Sequence, residues 1–236
     1  MLHGGTARNL PRYDADDEID DTHWRARFQA GVRYLRGHRT VLVLVIGQVA
    51  VTVFFALTEP IEVAYTREAL GAADSGYGVF VAAWGAGLVI GSVIYTWVGV
   101  RNLAATALIG TVIQGTAYGV LAAAGSLEVA CAIAVVGGAA NGVQMTALST
   151  AIQEAIALEF QARVMSIYEA AMTAGPGLGY MLGGLVGATA GQRAAFLVAG
   201  VGVLVVTLAV VLARPYGEAG PHARQERRPE PEPGSA

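Results

Sequence analysis

The scarcity of charge between Thr40 and Ala213 limits what this chain can fold into more than any other feature. These 174 residues hold 12 of the 33 charged side chains, and charged residues make up 14% of the whole chain, against about a quarter in soluble domains. A water-facing surface needs more charge than this. The hydrophobic content of 54% also excludes a disordered chain. The composition therefore predicts a protein that crosses a membrane several times.

This part of the chain contains six long stretches without a charged side chain. Each approaches or exceeds the roughly 20 residues that a helix needs to cross the hydrocarbon core of a bilayer. They are continuously apolar, whereas the strands of a membrane barrel alternate in polarity. We therefore expect an all-α membrane protein. The predicted transmembrane helices lie near residues 41–63, 76–99, 103–124, 129–153, 164–188 and 194–213.

The arginines predict the orientation of the chain. Most of those near the predicted spans, including Arg101 and Arg163, fall on the same side as the termini, which the positive-inside rule makes cytoplasmic. Because every Lys+Arg position is arginine and Ala and Gly are abundant, we expect a bacterial protein of the plasma membrane.

We expect three regions along the chain. Residues 1–39 form a polar cytoplasmic leader with an amphipathic helix near residues 24–39, which acts either as a positional anchor on the membrane or as a lipid sensor. Residues 40–213 form the transmembrane domain. Residues 214–236 are rich in proline, glycine and charge, and this composition predicts a disordered tail.

Four uncharged polar side chains lie near the middle of the predicted spans, and we take them as candidates for a substrate cavity. Such groups are costly in lipid and normally face the interior of a bundle or a cavity. The alternative is that they are hydrogen-bonding contacts between helices, worth about 0.6 kcal/mol each. The four residues are Gln48, Gln114, Asn141 and Gln144.

The charged side chains near the ends of the spans are candidates for proton sites or for an ion-pair gate. Glu59 and Glu62 flank a proline at the outer end of the first span, and Glu154 and Glu169 bracket Arg163 on the inner side. The alternative is solvation at the membrane interface, since a charge is cheaper there than at the centre of the bilayer.

Glycines recur every four residues in the fifth span, from Gly175 to Gly187, and allow the backbones of two helices to approach closely. Pro176 and Gly177 interrupt this pattern near the middle of the span. Tight packing explains most of the glycines. For Gly175, Pro176 and Gly177 we also consider a point at which the helix flexes between two states of a transporter.

The chain shows no residue pattern for catalysis. All four histidines lie in its polar ends, the single cysteine excludes an intrachain disulfide, and there is no phosphate-binding loop. We therefore expect no enzymatic activity, no metal and no cofactor. Without a basic domain, nucleic acid is not an expected partner.

Residues 153–184, QEAIALEFQARVMSIYEAAMTAGPGLGYMLGG, resemble the segment between the fourth and fifth helices in the C-terminal half of major facilitator superfamily transporters. The resemblance is strongest to bacterial exporters related to the enterobactin exporter. A second stretch, FQAGVRYLRGHRTV from Phe28, is similar to the segment before the seventh helix. The first stretch matches at Arg163, Val164, Met165, Ser166 and Tyr168 and departs at Ala157, Gln161 and Ala162.

The resemblance implies a fold and a function. Transporters of this family have two six-helix halves built from inverted three-helix repeats, and they hold the substrate between the halves. It therefore implies that this chain is a half-length or truncated secondary transporter that exports a small molecule by alternating access, with proton coupling. A second copy or a separate N-terminal half would complete the path. The rival hypothesis is a membrane accessory or remnant protein that packs against another membrane protein and transports nothing.

Overall fold

The computed structural model describes Gln29, Arg33 and residues 36–98, 102–156 and 158–213. Within these ranges the chain forms helices and no strand, which confirms the predicted all-α class. The six long helices are α1 (Arg39–Ala56), α2 (Gly76–Val98), α3 (Leu103–Leu121), α4 (Leu127–Ala155), α5 (Leu158–Ala190) and α6 (Gln192–Ala213).

The first helix is shorter than predicted. It ends at Ala56, and a series of short helical turns continues the chain over residues 59–69, which we call the α1 extension. Pro60 explains the break, because it has no N–H to donate to the carbonyl of Ala56 and its ring clashes with that carbonyl. Short 3₁₀, α and π turns follow and carry the chain toward α2.

The fifth helix begins earlier than predicted, at Leu158 instead of residue 164. The prediction counted only the apolar part, whereas the helix continues into polar residues that are themselves good helix formers. Gln161, one of the departures from the resembled pattern, donates from Nε2 to the carbonyl of Gln153 at 2.8 Å. This bond satisfies a carbonyl in the last turn of α4.

Five helices are long and apolar enough to cross a membrane by length and composition. α5 is not among them, because residues 164–188 contain six glycines and a proline, which lower its hydropathy. It nevertheless runs parallel to α1 in close contact, from Gly175 beside Val49 to Gly187 beside Ile61. This contact places α5 at the same depth as a helix that does meet the requirement.

The helices pack in a pattern that supports an inverted three-helix repeat. α2 packs against α4, and α5 packs in the same way against α1. α3 packs against α4, and α6 against α1, while α3 and α6 contact each other. Exchanging α1–α3 with α4–α6 converts the α2–α4 contact into α5–α1 and the α3–α4 contact into α6–α1, and it leaves the α3–α6 contact unchanged.

Glycines make the closest of these contacts. A Cβ on Gly91 of α2 would overlap the carbonyl of Ala139 on α4, and a Cβ on Gly183 of α5 would overlap the carbonyl of Leu57 beside α1. Backbones therefore meet directly at equivalent positions of the two repeats, as small residues allow in membrane helices. Similar backbone contacts are made by Gly87, Gly138, Gly142 and Gly179.

We call the end of the bundle with the α1–α2, α3–α4 and α5–α6 connections the hairpin end, and the opposite end the terminal end. Arg193 ties the three connections together. Its guanidinium donates to the carbonyls of Ala122 and Ala124 at 2.8 Å and to that of Ala69 at 3.0 Å. Gly191 alone separates α5 from α6, in the left-handed conformation (φ 86°) that a glycine accepts without strain.

Several sequence predictions lie outside the described residues. These are most of the predicted amphipathic helix near residues 24–39, the remainder of the polar leader, Arg101, Ala157 and the predicted disordered tail at residues 214–236.

Candidate functional site

A hydrogen bond between two glutamines joins the two repeats. Gln144 of α4 donates from Nε2 to Oε1 of Gln48 on α1 at 2.8 Å. Both side chains line a cavity of about 40 Å³ between α1, α3, α4 and α6, which we call the amide cavity. This volume is enough for roughly two or three water molecules. The structure therefore brings together two of the four predicted mid-depth residues.

Two threonines that sequence reasoning missed also line the amide cavity. The hydroxyl of Thr111 donates to the carbonyl of Ala107 at 2.9 Å, and that of Thr207 donates to the carbonyl of Val203 at 2.7 Å. Each oxygen keeps capacity to accept a further bond. In the sequence they look like ordinary helical threonines, because only the packing of four helices shows that they are buried side by side.

Gln114 is the most buried of the four predicted residues after packing, with 2% of its surface exposed. It shares a face of α3 with Thr111 and Tyr118, so it lies between the amide cavity and a second cavity lined by Tyr118. Its Oε1 has no hydrogen-bond partner among the described residues. A buried amide oxygen without a partner is uncommon, and Gln114 itself lines neither of these two cavities.

Asn141 is half-buried and lies one turn from Gln144 toward the hairpin end of α4. It does not line the amide cavity. The structure therefore separates it from the glutamine pair, although the two positions share a helix face.

The second cavity lies at the hairpin end, and we call it the aromatic cavity. It has a volume of about 170 Å³. Glu59 is exposed and Glu62 half-buried, so the two candidate carboxylates lie together at its edge. The residues lining it are Glu59, Glu62, Phe80, Val81, Trp84, Tyr118, Leu121 and Phe196.

Tyr180 of α5 is a further polar group at this end. Its hydroxyl donates to Oε2 of Glu59 at 2.7 Å, which links α5 to the α1 extension. The tyrosine is 42% exposed. Sequence analysis missed it, although its position one turn past Pro176 on the exposed face is a usable signal.

The charged candidates at the terminal end are all exposed: Glu154, Arg163 and Glu169. The guanidinium of Arg163 lies over the ring of Phe160, 5.9 Å from its centroid, a cation–π distance. Among the side chains that the structure describes, no ion pair joins Arg163 to either glutamate. The predicted gate is therefore not formed as an ion pair in this conformation.

α5 is helical throughout, including the segment from Gly175 to Gly177. Pro176 cannot donate a hydrogen bond to the carbonyl of Met172, so one backbone bond of the helix is missing there. Gly175 packs against Val49, whereas nothing lies within 4 Å of a Cβ built on Gly177. At this point one side of α5 thus contacts α1, and the other side contacts no residue that the structure describes.

A third cavity, a groove of about 410 Å³, lies between α2 and α3 over α4. Its lining is almost entirely aliphatic, and its single hydroxyl, that of Thr106, is bonded to the carbonyl of Asn102 at 3.0 Å. Apart from this hydroxyl, its lining side chains carry no polar group to orient a ligand. Within the described part of the chain, no group of three or more His, Cys, Asp or Glu side chains could hold a metal ion.

Comparison with protein families identifies the bundle. A family model described as Major Facilitator Superfamily matches residues 38–234. The chain belongs to the Major Facilitator Superfamily. The match covers all six helices and begins one residue before α1. Searches of curated proteins and of solved structures find no match.

Membership in the Major Facilitator Superfamily accounts for the helix arrangement. The six helices and their exchangeable contacts are those of one half of the superfamily fold. The chain is therefore a multi-pass membrane protein of a transporter family. The amide cavity and the aromatic cavity both lie between helices of this six-helix unit, and each is lined by helices of both repeats.

Proposed function

We propose that this protein is a secondary active transporter that exports a small molecule by alternating access. Membership in the Major Facilitator Superfamily supports transport in general, and the resemblance of residues 153–184 to enterobactin-exporter-like proteins supports export. The proposed location is the plasma membrane of a bacterium, with both termini in the cytoplasm. The proposal includes proton coupling, by resemblance to the same exporters.

The observation that carries the proposal is the hydrogen bond between Gln48 and Gln144. These residues lie on the first helix of each repeat and line the amide cavity, which is otherwise mostly apolar. Each amide keeps further donors and acceptors for a substrate or for water. The bond joins one repeat to the other. If a substrate replaces one glutamine as the partner of the other, this link between the repeats is broken and they can move relative to each other.

A second six-helix unit is part of the proposal. The exposed face of α5 carries Glu169, Thr173 and Tyr180 within the predicted span. Polar groups at membrane depth normally face protein or a water-filled cavity and not lipid. We infer that this face meets a second copy of the chain or a separate half, and that Gly175, Pro176 and Gly177 supply the flexing point of α5.

The charged candidates have roles within this proposal. Glu59 and Glu62 at the hairpin end, and Glu154, Arg163 and Glu169 at the terminal end, are proposed proton or gate residues. They lie at opposite ends of the bundle, as gates that open alternately require.

The test is proton flux into liposomes that contain the purified protein and a trapped pH-sensitive dye. A panel of organic cations, anions and neutral compounds is added in turn. With any compound that drives flux, Gln48→Leu and Gln144→Leu should each lower the rate about tenfold or more, which corresponds to about 1.4 kcal/mol. Thr116→Val is the control, because Thr116 is exposed and bonded to its own helix. Absence of flux with every compound, with or without a partner half, would contradict the proposal.

The accessory-protein alternative also has an observation in its favour. On α2 and α5, four glycines have no atom within 4 Å of an added Cβ, and another membrane protein could pack against these open positions. If the protein is an accessory, the leucine variants will assemble with the partner as the unmodified chain does and no variant will change a flux. The four open positions are Gly78, Gly85, Gly177 and Gly184.

A further inference from the structure

The aromatic cavity combines two features that bear on what it can bind. One wall consists of aromatic rings, and the edge carries the carboxylates of Glu59 and Glu62. The volume of about 170 Å³ is smaller than the roughly 300–1,000 Å³ of sites for drug-sized ligands. The cavity therefore fits a small molecule or one end of a larger molecule.

The rings that form the wall are held in place by one another. The Tyr118 ring lies 5.2 Å from that of Trp84, nearly perpendicular to it, and 5.9 Å from that of Phe196. The face of an aromatic ring carries partial negative charge, and its edge carries partial positive charge. Four aromatic rings line the cavity, and the face of an aromatic ring attracts cations.

In the part of the chain that the structure describes, the two carboxylates at the edge form no ion pair with an arginine. The two described arginines at the hairpin end are engaged elsewhere. Arg67 pairs with Asp74 at 3.3 Å, and Arg193 donates to three backbone carbonyls. Among the described residues, no cationic side chain thus pairs with Glu59 or Glu62 beside the ring wall.

Tyr180 holds one of the two carboxylates in position. Its hydroxyl donates to Oε2 of Glu59 at 2.7 Å. A carboxylate accepts about four hydrogen bonds in total, so Glu59 keeps capacity for a ligand. Tyr180 acts as a positioning residue, because it orients Glu59 without lining the cavity itself.

We infer that the aromatic cavity binds the ammonium group of a small organic cation. The ring faces attract the positive charge and its alkyl substituents, and Glu59 and Glu62 supply the opposite charge. As the substrate class of the transporter, this inference rests on the proposed function, whereas binding itself does not depend on transport. A metal ion fits less well, because calcium takes six to eight oxygen ligands and most of the lining is aromatic or aliphatic.

The experiment measures binding of radiolabelled choline to the purified full-length chain in lipid nanodiscs at about pH 8, well above the ordinary carboxyl pKa range. We expect saturable binding of choline. Its uncharged carbon analogue, 3,3-dimethylbutan-1-ol, has nearly the same shape and should not compete. Equal competition by the analogue would overturn the inference, because the site would then recognise shape and not charge.

The variants test the carboxylates. Glu59→Gln should weaken choline binding about fivefold, the size of the attraction between two opposite charges close together in water, and Glu62→Gln should weaken it at least as much. Glu59 is exposed, so its variant keeps the test valid even if Glu62→Gln disturbs the fold. Glu68→Gln is the control, because Glu68 lies at the same end, accepts from Gln192 at 2.6 Å and is outside the cavity. Unchanged binding in Glu59→Gln and in a folded Glu62→Gln would overturn the inference.

The outcomes separate the two proposals. Saturable choline binding without flux of any compound supports the cation site and contradicts the transporter. Flux of other compounds together with no saturable choline binding supports the transporter and overturns the cation site.

Discussion

At the residue scale, the mid-depth glutamines show what an uncharged polar group costs inside this bundle. Gln144 donates to Gln48, whereas the Oε1 of Gln114 has no partner among the described residues. Replacing Gln144 with methionine removes one partner and leaves the Gln48 oxygen buried without its donor. We expect the free energy of unfolding to fall by about 0.6–1.7 kcal/mol, from the average to the largest value for such bonds in a membrane protein. Titration with SDS in mixed micelles measures this change.

The control is the double variant Gln48→Met/Gln144→Met. Removing both partners together should cost less than the sum of the two single changes, because no buried polar atom is then left unpaired. Additive losses would show that the hydrogen bond contributes nothing beyond the packing of each side chain. The sequence placed both glutamines near mid-depth, but the rotation of α1 and α4 about their axes determines which of the four polar residues meet.

At the scale of elements, the contacts between helices depend on particular glycines. A glycine next to one of them in the sequence can lie outside the contact. A Cβ on Gly183 would overlap the carbonyl of Leu57, while nothing lies within 4 Å of a Cβ on Gly184. Gly183→Ala should therefore force α5 away from α1 and lower the free energy of unfolding by about 1–3 kcal/mol, the usual cost of overpacking. Unfolding in SDS, with far-ultraviolet circular dichroism as the signal, measures this change.

Gly184→Ala provides the comparison at the adjacent position. It introduces the same methyl group and the same gain in helix propensity, up to about 1 kcal/mol, without a steric conflict. Equal stability of the two variants would contradict the contact between α5 and α1. The sequence predicted the stripe of glycines from Gly175 to Gly187, yet only the structure shows that Gly177 and Gly184 of the same helix are open.

At the scale of the whole molecule, Arg193 joins the connections of the hairpin end across the two repeats. Its three charge-assisted hydrogen bonds lead us to expect that Arg193→Met lowers the free energy of unfolding by about 2–3 kcal/mol. The backbone amides of the α3–α4 connection and of the end of the α1 extension should also exchange hydrogen faster. Mass spectrometry measures this rate.

Arg67→Met is the comparison, because it removes the same charge at the same end. Arg67 pairs with Asp74 at the surface, with 52% and 94% of the two side chains exposed, and such pairs contribute about 0–1 kcal/mol. A loss of stability in Arg67→Met as large as that in Arg193→Met would show that charge, and not the three backbone bonds, accounts for the effect of Arg193.

The sequence by itself determined the all-α class and the number of long helices, because charge and apolar length depend only on position along the chain. It also indicated the superfamily through residues 153–184. Tertiary structure decided which polar groups meet. The pairing of Gln48 with Gln144, the burial of Thr111 and Thr207, and the ring wall beside Glu59 and Glu62 all join residues far apart in the chain. Their contacts depend on how each helix is rotated, and close glycine packing between backbones sets that rotation.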